Sequence, residues 1–395
     1  MLKAHKKKRR IHSLTGRIDR TRLHKAFKAV KKNRGAAGVD KQSIAMFESN
    51  LEQNLHALEQ AMKRRTYQPK PARRKFIPKA NGKLRPLGIP TVRDRVAQEV
   101  VRALINPIFE KIFHDCSHGF RNRRSCHTAM EQLLEFKQQG YRFVVDADIK
   151  GYFDSIPHKL ILDMVAAEIS DGNILELIKK FLQAGVMQDG KIKHTAKGTP
   201  QGGVISPLLA NVVLNHLDWT LHENGLKFVR YADDFVVLCK SRRQAEKALE
   251  RIASCVEIDL GLELSKEKTK ISSFKEGFQF LGFHINSRSV RMRSKAEENF
   301  KNKIWMQTVR SQNLDAEVVV KINRIVRGTV NYFHADFTTN LHQFVRLDYW
   351  LRKRIRSMKF KRIWRTDNTR MKNKHIKNKG FLMAEDLCRA KAASA

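Results

Sequence analysis

The sequence predicts an α+β fold in which an antiparallel sheet carries helices on one face and a helical domain follows. Between residues 141 and 285, runs typical of strands and helices follow the order β-α-α-β-β-α-β, which favours a sheet with helices packed on one side. Beyond Asn286 only helices are expected. The apolar fraction of 42% is high enough for a buried core, so a wholly disordered chain is excluded.

The N-terminal part of the chain is predicted to be helical apart from one hairpin. Leu23, Phe27 and Val30 lie at helical spacing, so residues 21–32 are expected to form a basic amphipathic helix. Further helices are predicted over residues 43–64 and 91–113. Between these two, the segments RRKFIPK and KLRPLGIP flank the tight turn Ala80-Asn81-Gly82, which is typical of a β-hairpin.

The middle of the chain supplies the expected sheet. Residues 141–149 (YRFVVDADI) predict a buried strand, and residues 228–240 (FVRYADDFVVLCK) predict two short strands about a turn at Asp233-Asp234. Two more strands are expected in EKTKISSF and GFQFLGFHI. The helices of this region are predicted over residues 157–184, 204–224 and 242–260. A domain boundary is expected near residue 287, where the strands give way to basic helices.

Charge dominates the composition. The chain has 78 Lys and Arg against 39 Asp and Glu, a net charge of +39. Such a chain repels itself unless it meets a polyanion, which indicates a nucleic-acid partner; an anionic membrane surface is the weaker alternative. No apolar run is long enough to span a membrane, and the start MLKAHKKKRR is not a secretory signal. A cytoplasmic bacterial protein associated with RNA or the nucleoid is expected, and the abundance of Lys disfavours an organellar transit peptide.

Two groups of carboxylates stand out against this basic background. Asp146, Asp148 and Asp154 lie in VVDADIKGYFDSI, and Asp233 and Asp234 lie in YADD. An Asp-Asp pair is often only a turn, but here a buried strand follows at once, and carboxylates beside a core favour a bound cation. Asp148 and Asp233 are expected to converge from adjacent strands and to bind Mg²⁺, which prefers oxygen ligands. Two such ions promote phosphoryl transfer on nucleic acid, so a polymerase and a nuclease both fit at this point.

Several segments together resemble one family. YADD at 231–234 resembles the Y-x-D-D box of reverse transcriptases. The flanking blocks, in the expected order, are similar to those of group II intron reverse transcriptases and their maturase domain: NRGAAGVD (33–40), RPLGIPTVRDRVAQ (85–98), HGFRNRRS (118–125), DIKGYFDSI (148–156), GTPQGGVISPLLANVVLNHLD (198–218), FQFLGFHI (278–285), RGTVNYF (327–333) and RLDYWLRKRIR (346–356). No H-N-H nuclease signature or C-x-x-C pair is present, so the resemblance is to the compact class that lacks an endonuclease domain.

The resemblance implies a right-hand polymerase fold in three parts. Residues 1–75 would form a basic N-terminal extension and the start of the fingers, residues 76–287 the fingers and palm, and residues 288–395 a helical thumb/maturase domain with a short basic tail.

The resemblance also implies the roles of individual residues. Asp148 and Asp233 would be the principal ligands of two Mg²⁺ ions, with Asp234 in support and the backbone carbonyl of Ile149 as a further ligand. Lys268 would donate a proton to pyrophosphate, with Lys266 as its rival. Residues implied to contact the incoming dNTP are Lys79, Arg85, Phe153 and Gln201, of which Phe153 would exclude a 2′-hydroxyl. Residues implied to contact nucleic acid are Arg352, Lys353 and Arg356.

Three functions fit these residues. The first is an RNA-directed DNA polymerase that takes an RNA template, a DNA primer or target and dNTPs, and also binds its intron RNA as a maturase. The second is a domesticated relative in phage defence, DNA repair or spacer acquisition, which the protein sequence hardly separates from the first. The third, a non-catalytic RNA-binding splicing factor, is disfavoured because Asp148, Asp233 and Asp234 are all present. Oligomeric state and target site are left open.

Overall fold

The computed structural model describes residues 10–78, 84–193, 196–199 and 202–393. The chain divides into two compact units. The first, here called the N-terminal unit, comprises the chain up to Tyr141 together with Val145–Ile271. The second, the C-terminal unit, comprises Arg142–Val144 and the chain from Ser272 onward. This division falls before the boundary predicted near residue 287.

Among the described residues, ten α-helices and six strands lie wholly in the N-terminal unit, and two further strands, Phe143–Ala147 and Lys270–Ser273, have residues in both units. The helices are α1 (Arg20–Lys32), α2 (Ile44–Ser49), α3 (Leu51–Lys63), α4 (Val92–Glu110), α5 (Cys126–Gln138), α6 (Tyr152–Ser155), α7 (His158–Glu168), α8 (Gly172–Gln183), α9 (Ser206–Glu223) and α10 (Arg242–Ala253). The strands are β1 (Ala72–Pro78), β2 (Leu84–Ile89), β3 (Phe143–Ala147), β4 (Val186–Gln188), β5 (Lys191–Lys193), β6 (Lys227–Tyr231), β7 (Asp234–Cys239) and β8 (Lys270–Ser273). A 3₁₀ turn at Thr15–Arg17 precedes α1, and a π-helix at Ser254–Asp259 follows α10.

The C-terminal unit is mostly helical. Its strands are β9 (Phe278–Phe280), β10 (Phe283–Ile285) and β11 (Val290–Met292). Its helices are α11 (Ser294–Gln307), α12 (Ala316–Phe333), α13 (Leu341–Phe360), α14 (Asp367–Arg370), α15 (Asn373–Asn378) and α16 (Ala384–Ala392). Across the described residues, no helix is long and apolar enough to cross a membrane.

Two sheets shape the N-terminal unit. One has the strand order β2-β1-β4-β5, and the other has the order β6-β7-β3-β8. The predicted hairpin is the antiparallel β1–β2 pair, although its turn at Ala80-Asn81-Gly82 lies outside the described residues. The short strands β4 and β5 were not predicted, and β4 lies parallel to β1. The second sheet brings β3 beside β7, so the segments that carry the two predicted groups of carboxylates are neighbours.

The α+β prediction is confirmed, while several boundaries differ. The helix predicted over residues 157–184 is two helices, because Asp171 accepts hydrogen bonds from the backbone N–H groups of Asn173 and Ile174 and thereby starts α8. The helix predicted over residues 43–64 is interrupted at Asn50, and the one over 242–260 continues from α10 as the π-helix. The prediction that strands stop after Asn286 is wrong, because β11 pairs antiparallel with β10.

The core of the C-terminal unit joins its strands to its helices. Met292 of β11 is buried in one cluster with Phe300 and Ile304 of α11, and with apolar side chains of α12, α13 and α16. Phe283 of β10 packs against the rings of Tyr332 and Phe333 at centroid distances of 5.9 and 5.3 Å. The strands from residue 278 onward therefore fold with the helices that follow them, which explains why the division lies before residue 287.

Candidate active site

The acidic turn is the tip of the β6–β7 hairpin. Tyr231 and Asp234 are paired across the two strands, so the turn consists of Ala232 and Asp233. This shifts the predicted turn by one residue, because Asp234 is already the first residue of β7. Ala232 has a φ of 60°, which suits the two-residue turns that connect twisted strands but is unusual for a residue other than glycine. The short turn thus places two successive carboxylates at the end of a buried strand pair.

Gly119 leaves room for this turn. A Cβ atom on Gly119 would lie 2.2 Å from the backbone nitrogen of Ala232, far inside any van der Waals contact. The backbone of the HGFRNRRS segment therefore backs directly onto the acidic turn. Sequence reasoning did not single out this glycine for a role.

Asp148 follows the end of β3, and its backbone is held on both sides. Its carbonyl oxygen accepts from the N–H of Ser265 at 2.8 Å, and its own N–H donates to Oγ1 of Thr269 at 3.4 Å. The next residue, Ile149, is buried and forms a bridge with Leu264. Because β3 neighbours β7 in the sheet, Asp148 comes close to the acidic turn. The predicted convergence from adjacent strands has its basis in this strand order.

The electrostatics show that these carboxylates crowd one another. Burial, together with the charges of Asp233, Asp148 and Asp146, raises the pKa of Asp234 to about 6. Asp234 is partly in contact with solvent, and the three neighbouring negative charges nevertheless all raise its pKa. Burial likewise raises the pKa of Asp146 to about 6 and raises the pKa of Asp233, with the Asp148 charge adding to both. Asp146, to which sequence reasoning assigned no role, is thus a fourth member of the cluster.

The side chain of Lys268 contacts this cluster of carboxylates. Its Nζ donates to Oδ2 of Asp148 at 2.8 Å, and this bond is the main cause of its raised pKa. Asp234 and Asp233 raise its pKa further. The structure therefore brings the predicted proton donor to the predicted metal ligand. Lys268 and Lys266, its rival from sequence, are both exposed, so the contact with Asp148 is what distinguishes Lys268.

The donor set suits a hard divalent cation. Oxygen ligands on strand ends are what Mg²⁺ requires, and carboxylates with mutually raised pKa values are stabilised when a cation lies between them. The predicted ligands Asp148 and Asp233 and the supporting Asp234 do not bring three carboxylate oxygens within 4.8 Å of one another. Among the described residues, three or more ligand atoms lie within 4.8 Å of one another only at His216, Cys255 and Asp259. In the cluster around Asp148, the ammonium of Lys268 takes the position of a counter-ion.

Two of the residues implied to contact a nucleotide, Arg85 and Phe153, lie among the described residues. Arg85 is exposed on β2, and its charge lowers the pKa of Asp233. Phe153 lies in α6, partly buried, and its carbonyl accepts from the N–H of Thr199 at 2.7 Å. Lys79 and Gln201 lie outside the described residues.

Gly202 lies directly against β2. A Cβ on Gly202, which has a φ of 110°, would lie 2.4 Å from the carbonyl oxygen of Gly88 in β2. Both the positive φ and this close backbone approach require glycine at this position.

The three residues implied to contact nucleic acid have different surroundings on α13. Lys353 is exposed, and Arg352 is partly buried with Nη1 at 3.9 Å from Sδ of Met383. Arg356 is buried and donates from Nε to the carbonyl of Met371 at 2.8 Å and from Nη2 to Oδ1 of Asn373 at 2.7 Å. Its guanidinium therefore donates hydrogen bonds within the C-terminal unit. Because the side chain is buried, the expectation that Arg356 contacts nucleic acid is corrected.

Comparisons with known proteins identify the family of the chain. Residues 77–285, more than half of the chain, match the family described as reverse transcriptase (RNA-dependent DNA polymerase). Protein YkfC of Escherichia coli is 36% identical over 316 residues, covering 70% of this chain and 82% of that protein. Group II intron-encoded protein LtrA of Lactococcus lactis is 35% identical over 303 residues, covering 60% of this chain and 50% of LtrA. The chain thus spans about half the length of LtrA.

Among solved structures, the apo telomerase of Candida tropicalis is similar with a TM-score of 0.48 and 14% identity, over 71% of this chain and 59% of that one.

Proposed function

The chain belongs to the reverse transcriptase family, and from this premise we propose that it copies RNA into cDNA by phosphoryl transfer at Asp148, Asp233 and Asp234. The observation that supports this most directly is the cluster of four carboxylates at the adjacent strands β3 and β7, in which burial and neighbouring charges raise the pKa values of Asp146, Asp233 and Asp234. Such a cluster is unfavourable by itself and favourable around cations. The proposal therefore includes two Mg²⁺ ions as cofactors.

The residues of the chain have separate tasks in this reaction. Asp148 and Asp233 would hold the ions, Asp234 would add negative charge beside them, and the backbone carbonyl of Ile149 would be a further ligand. When bound, two Mg²⁺ ions activate a 3′-hydroxyl and neutralise charge on the phosphates. Lys268 would deliver a proton to the pyrophosphate that leaves, and its contact with Asp148 supports this role. Arg85, together with Lys79 and Gln201, would bind the incoming triphosphate and base.

Phe153 would select the sugar. It lies beyond Gly151, which has a φ of 57°, on the short helix that follows Asp148. A ring under the sugar leaves no space for a 2′-hydroxyl. We expect the Phe153→Ala variant to incorporate ribonucleotides and still to extend primers with deoxynucleotides. The measurement is the incorporation rate of each kind of nucleotide. If the preference for deoxynucleotides over ribonucleotides is unchanged, Phe153 does not select the sugar.

The exposed face of α13 is proposed as a nucleic-acid contact. His342, Arg346, Tyr349 and Lys353 are all exposed and follow one another at spacings of four, three and four residues, which places them on one face of the helix. The opposite face buries Phe344, Leu347 and Leu351 in the core of the C-terminal unit. Cations interleaved with an aromatic ring suit a phosphate backbone with stackable bases. Lys353 belongs to this face, whereas Arg356 does not.

The similarity to LtrA supports a further part of the proposal, that the chain binds a group II intron RNA and assists its splicing and mobility. A non-catalytic splicing factor is less consistent with the carboxylate cluster. A domesticated reverse transcriptase has the same site, so the DNA around the gene decides between it and the intron-encoded function.

The decisive experiment is primer extension on an RNA template with Asp233→Asn. We expect a loss of at least ~100-fold in rate, because a metal ligand is removed, with RNA affinity nearly unchanged. The matched control is Asp163→Asn, which neutralises an exposed carboxylate that is paired with Lys159 on α7. If Asp233→Asn retains a tenth of the wild-type rate, Asp233 is not a principal metal ligand.

A further inference from the structure

A buried ion pair lies behind the acidic turn. Arg230 of β6 and Asp218 of α9 both have side chains that are 0% exposed. Nε of Arg230 donates to Oδ1 of Asp218 at 2.7 Å, and Nη2 donates to Oδ2. Removing two charges from water costs several kcal/mol for each ion, and an apolar pair of similar volume is often at least as stable. Stability alone therefore does not account for this pair.

The remaining donor of the guanidinium points to a different role. Nη1 of Arg230 donates to the carbonyl oxygen of Ala232 at 2.9 Å. That carbonyl belongs to the peptide bond that leads into Asp233. The ion pair thus fixes the direction of the backbone at the residue proposed to bind the metal.

Asn211 of α9 completes the arrangement. Its Oδ1 accepts from Nη1 of Arg230 at 2.8 Å, and its Nδ2 donates to the carbonyl of Gly119 at 2.8 Å. Gly119 is the residue whose backbone lies directly behind Ala232. One amide side chain therefore joins both the guanidinium and the backbone of the HGFRNRRS segment to the same helix.

The backbone bonds around Arg230 follow the same pattern. Its N–H donates to the carbonyl of Cys116 at 2.8 Å, and its carbonyl accepts from the N–H of His118 at 2.8 Å. The residue that leads into the acidic turn is consequently fixed through both its backbone and its side chain. These bonds hold the backbone at Ala232, whose φ of 60° is unusual for a residue other than glycine.

We propose that Arg230, Asp218 and Asn211 are positioning residues that set how tightly the site binds its divalent cations, by holding the acidic turn in register with Asp148. The inference rests on the proposed polymerase function and adds to it the residues on which metal affinity depends. None of the three needs to touch substrate. Their loss should weaken metal binding more than it weakens RNA binding.

Asn211→Ala is the gentler test, because it leaves the ion pair intact. Its matched control is Asn215→Ala, one turn further along α9, where Oδ1 accepts from the N–H of His114 at 3.1 Å and Nδ2 donates to the carbonyl of Ile112 at 3.3 Å. Primer extension is measured against Mg²⁺ concentration, together with RNA affinity and Tm. We expect Asn211→Ala to need about tenfold more Mg²⁺ for half-maximal rate, since a hydrogen bond to a charged group is lost, and the control to need no more than wild type. Equal Mg²⁺ requirements in wild type and Asn211→Ala overturn the proposal.

A second variant separates the effect of the ion pair on metal binding from its effect on the stability of the fold. Arg230→Met combined with Asp218→Leu removes both charges at once, so no unpaired ion is left in the core. A folded double variant that needs more Mg²⁺ than wild type for half-maximal rate supports the proposal. A folded double variant that needs the same Mg²⁺ concentration as wild type overturns it.

Direct binding of Mn²⁺, followed by its electron paramagnetic resonance signal, keeps the test independent of catalysis. If wild type extends no primer at all, the proposed function fails, and the inference is then decided by Mn²⁺ binding alone. Weaker Mn²⁺ binding by Asn211→Ala than by Asn215→Ala supports it, and equal binding by the two overturns it.

Discussion

At the scale of single residues, Lys268 is separated from its rival by one contact. Both lysines are exposed, and the distinguishing contact is that of Nζ of Lys268 with Oδ2 of Asp148 at 2.8 Å. We expect Lys268→Ala to lower the primer-extension rate by about 100-fold, in the range found for a lost general acid, and Lys266→Ala to leave it within twofold. Single-turnover kinetics with the two variants measures this difference. Equal effects would mean that the contact with Asp148 has no part in the chemistry.

Asp146 gives a prediction on stability and pH. Its folded pKa of about 6 lies above the ordinary value of 3.8, so the native state holds the proton more tightly than the unfolded chain does. A raised carboxylate pKa means that ionisation destabilises the folded state, and this cost is absent below pH 3.8 and complete above pH 6. Without divalent cations, we expect Asp146→Asn to be more stable than wild type at about pH 7 and equally stable near pH 4.

The measurement is Tm against pH for the two proteins in a chelator. Their difference isolates Asp146 from the other carboxylates that titrate over the same interval. Added Mg²⁺ should reduce the advantage of Asp146→Asn at neutral pH, because a cation relieves the repulsion among the carboxylates. A Tm difference that does not change with pH would show that the carboxylate of Asp146 is solvated.

At the scale of secondary-structure elements, local sequence patterns predicted which segments are helices and strands better than where they end. The long apolar runs around Val144 and Val236 predicted β3 and β7, and the fold class is confirmed. Short exposed strands such as Lys191–Lys193 have no apolar pattern to reveal them. β11 follows a turn and pairs with β10, a tertiary choice that local composition does not record.

The same limit applies to the site. Asp148, Asp233 and Asp234 were predicted because acidic residues stand out beside apolar strands. The guanidinium of Arg230 did not stand out in a chain with 78 basic residues, and its burial depends on a partner that lies 12 residues before it on another element. Arg356 was misassigned for the same reason, since charge alone does not show whether a side chain faces inward.

The prediction for this scale concerns the exposed face of α13. We expect Arg346→Ala with Lys353→Ala to weaken RNA binding by about 10- to 100-fold near 100 mM salt, because two phosphate contacts are lost. Tyr349→Ala should weaken binding to single-stranded RNA further, since stacking contributes ~1–3 kcal/mol per base. Filter binding with a short RNA measures both effects.

The control for this face removes equal charge elsewhere. Arg243 and Lys247 are exposed on α10 at a spacing of four residues, and their double alanine variant should bind RNA nearly as wild type. Arg356→Ala should lower Tm, because it leaves the carbonyl of Met371 and the amide of Asn373 without their donor. If the α10 and α13 variants lose affinity equally, binding does not distinguish the two helices.

At the scale of the whole molecule, the division at Ile271 changes how the chain is best cut. A truncation after residue 287 would leave β10 without β11 and remove the rings of Tyr332 and Phe333 that pack on Phe283. Loss of activity in that fragment would report a broken core as much as a missing domain. Point substitutions on exposed faces are therefore the sharper test of what the C-terminal unit binds.

The last prediction concerns how the net charge of +39 makes RNA affinity depend on salt. Each phosphate that a Lys or Arg neutralises releases condensed counter-ions, so the logarithm of affinity falls with the logarithm of salt concentration, by about 0.9 for each contact on a duplex. With six or more contacts, we expect RNA affinity to fall by about 10³ or more between 50 and 200 mM salt. The measurement is a series of binding isotherms on one RNA at several salt concentrations. The slope should be shallower by about two for the double variant of Arg346 and Lys353 and unchanged for Asp233→Asn, because only the former removes cations. A flat response in the wild type would mean that the excess charge lies away from the bound RNA, and the proposed face on α13 would then lose its electrostatic basis.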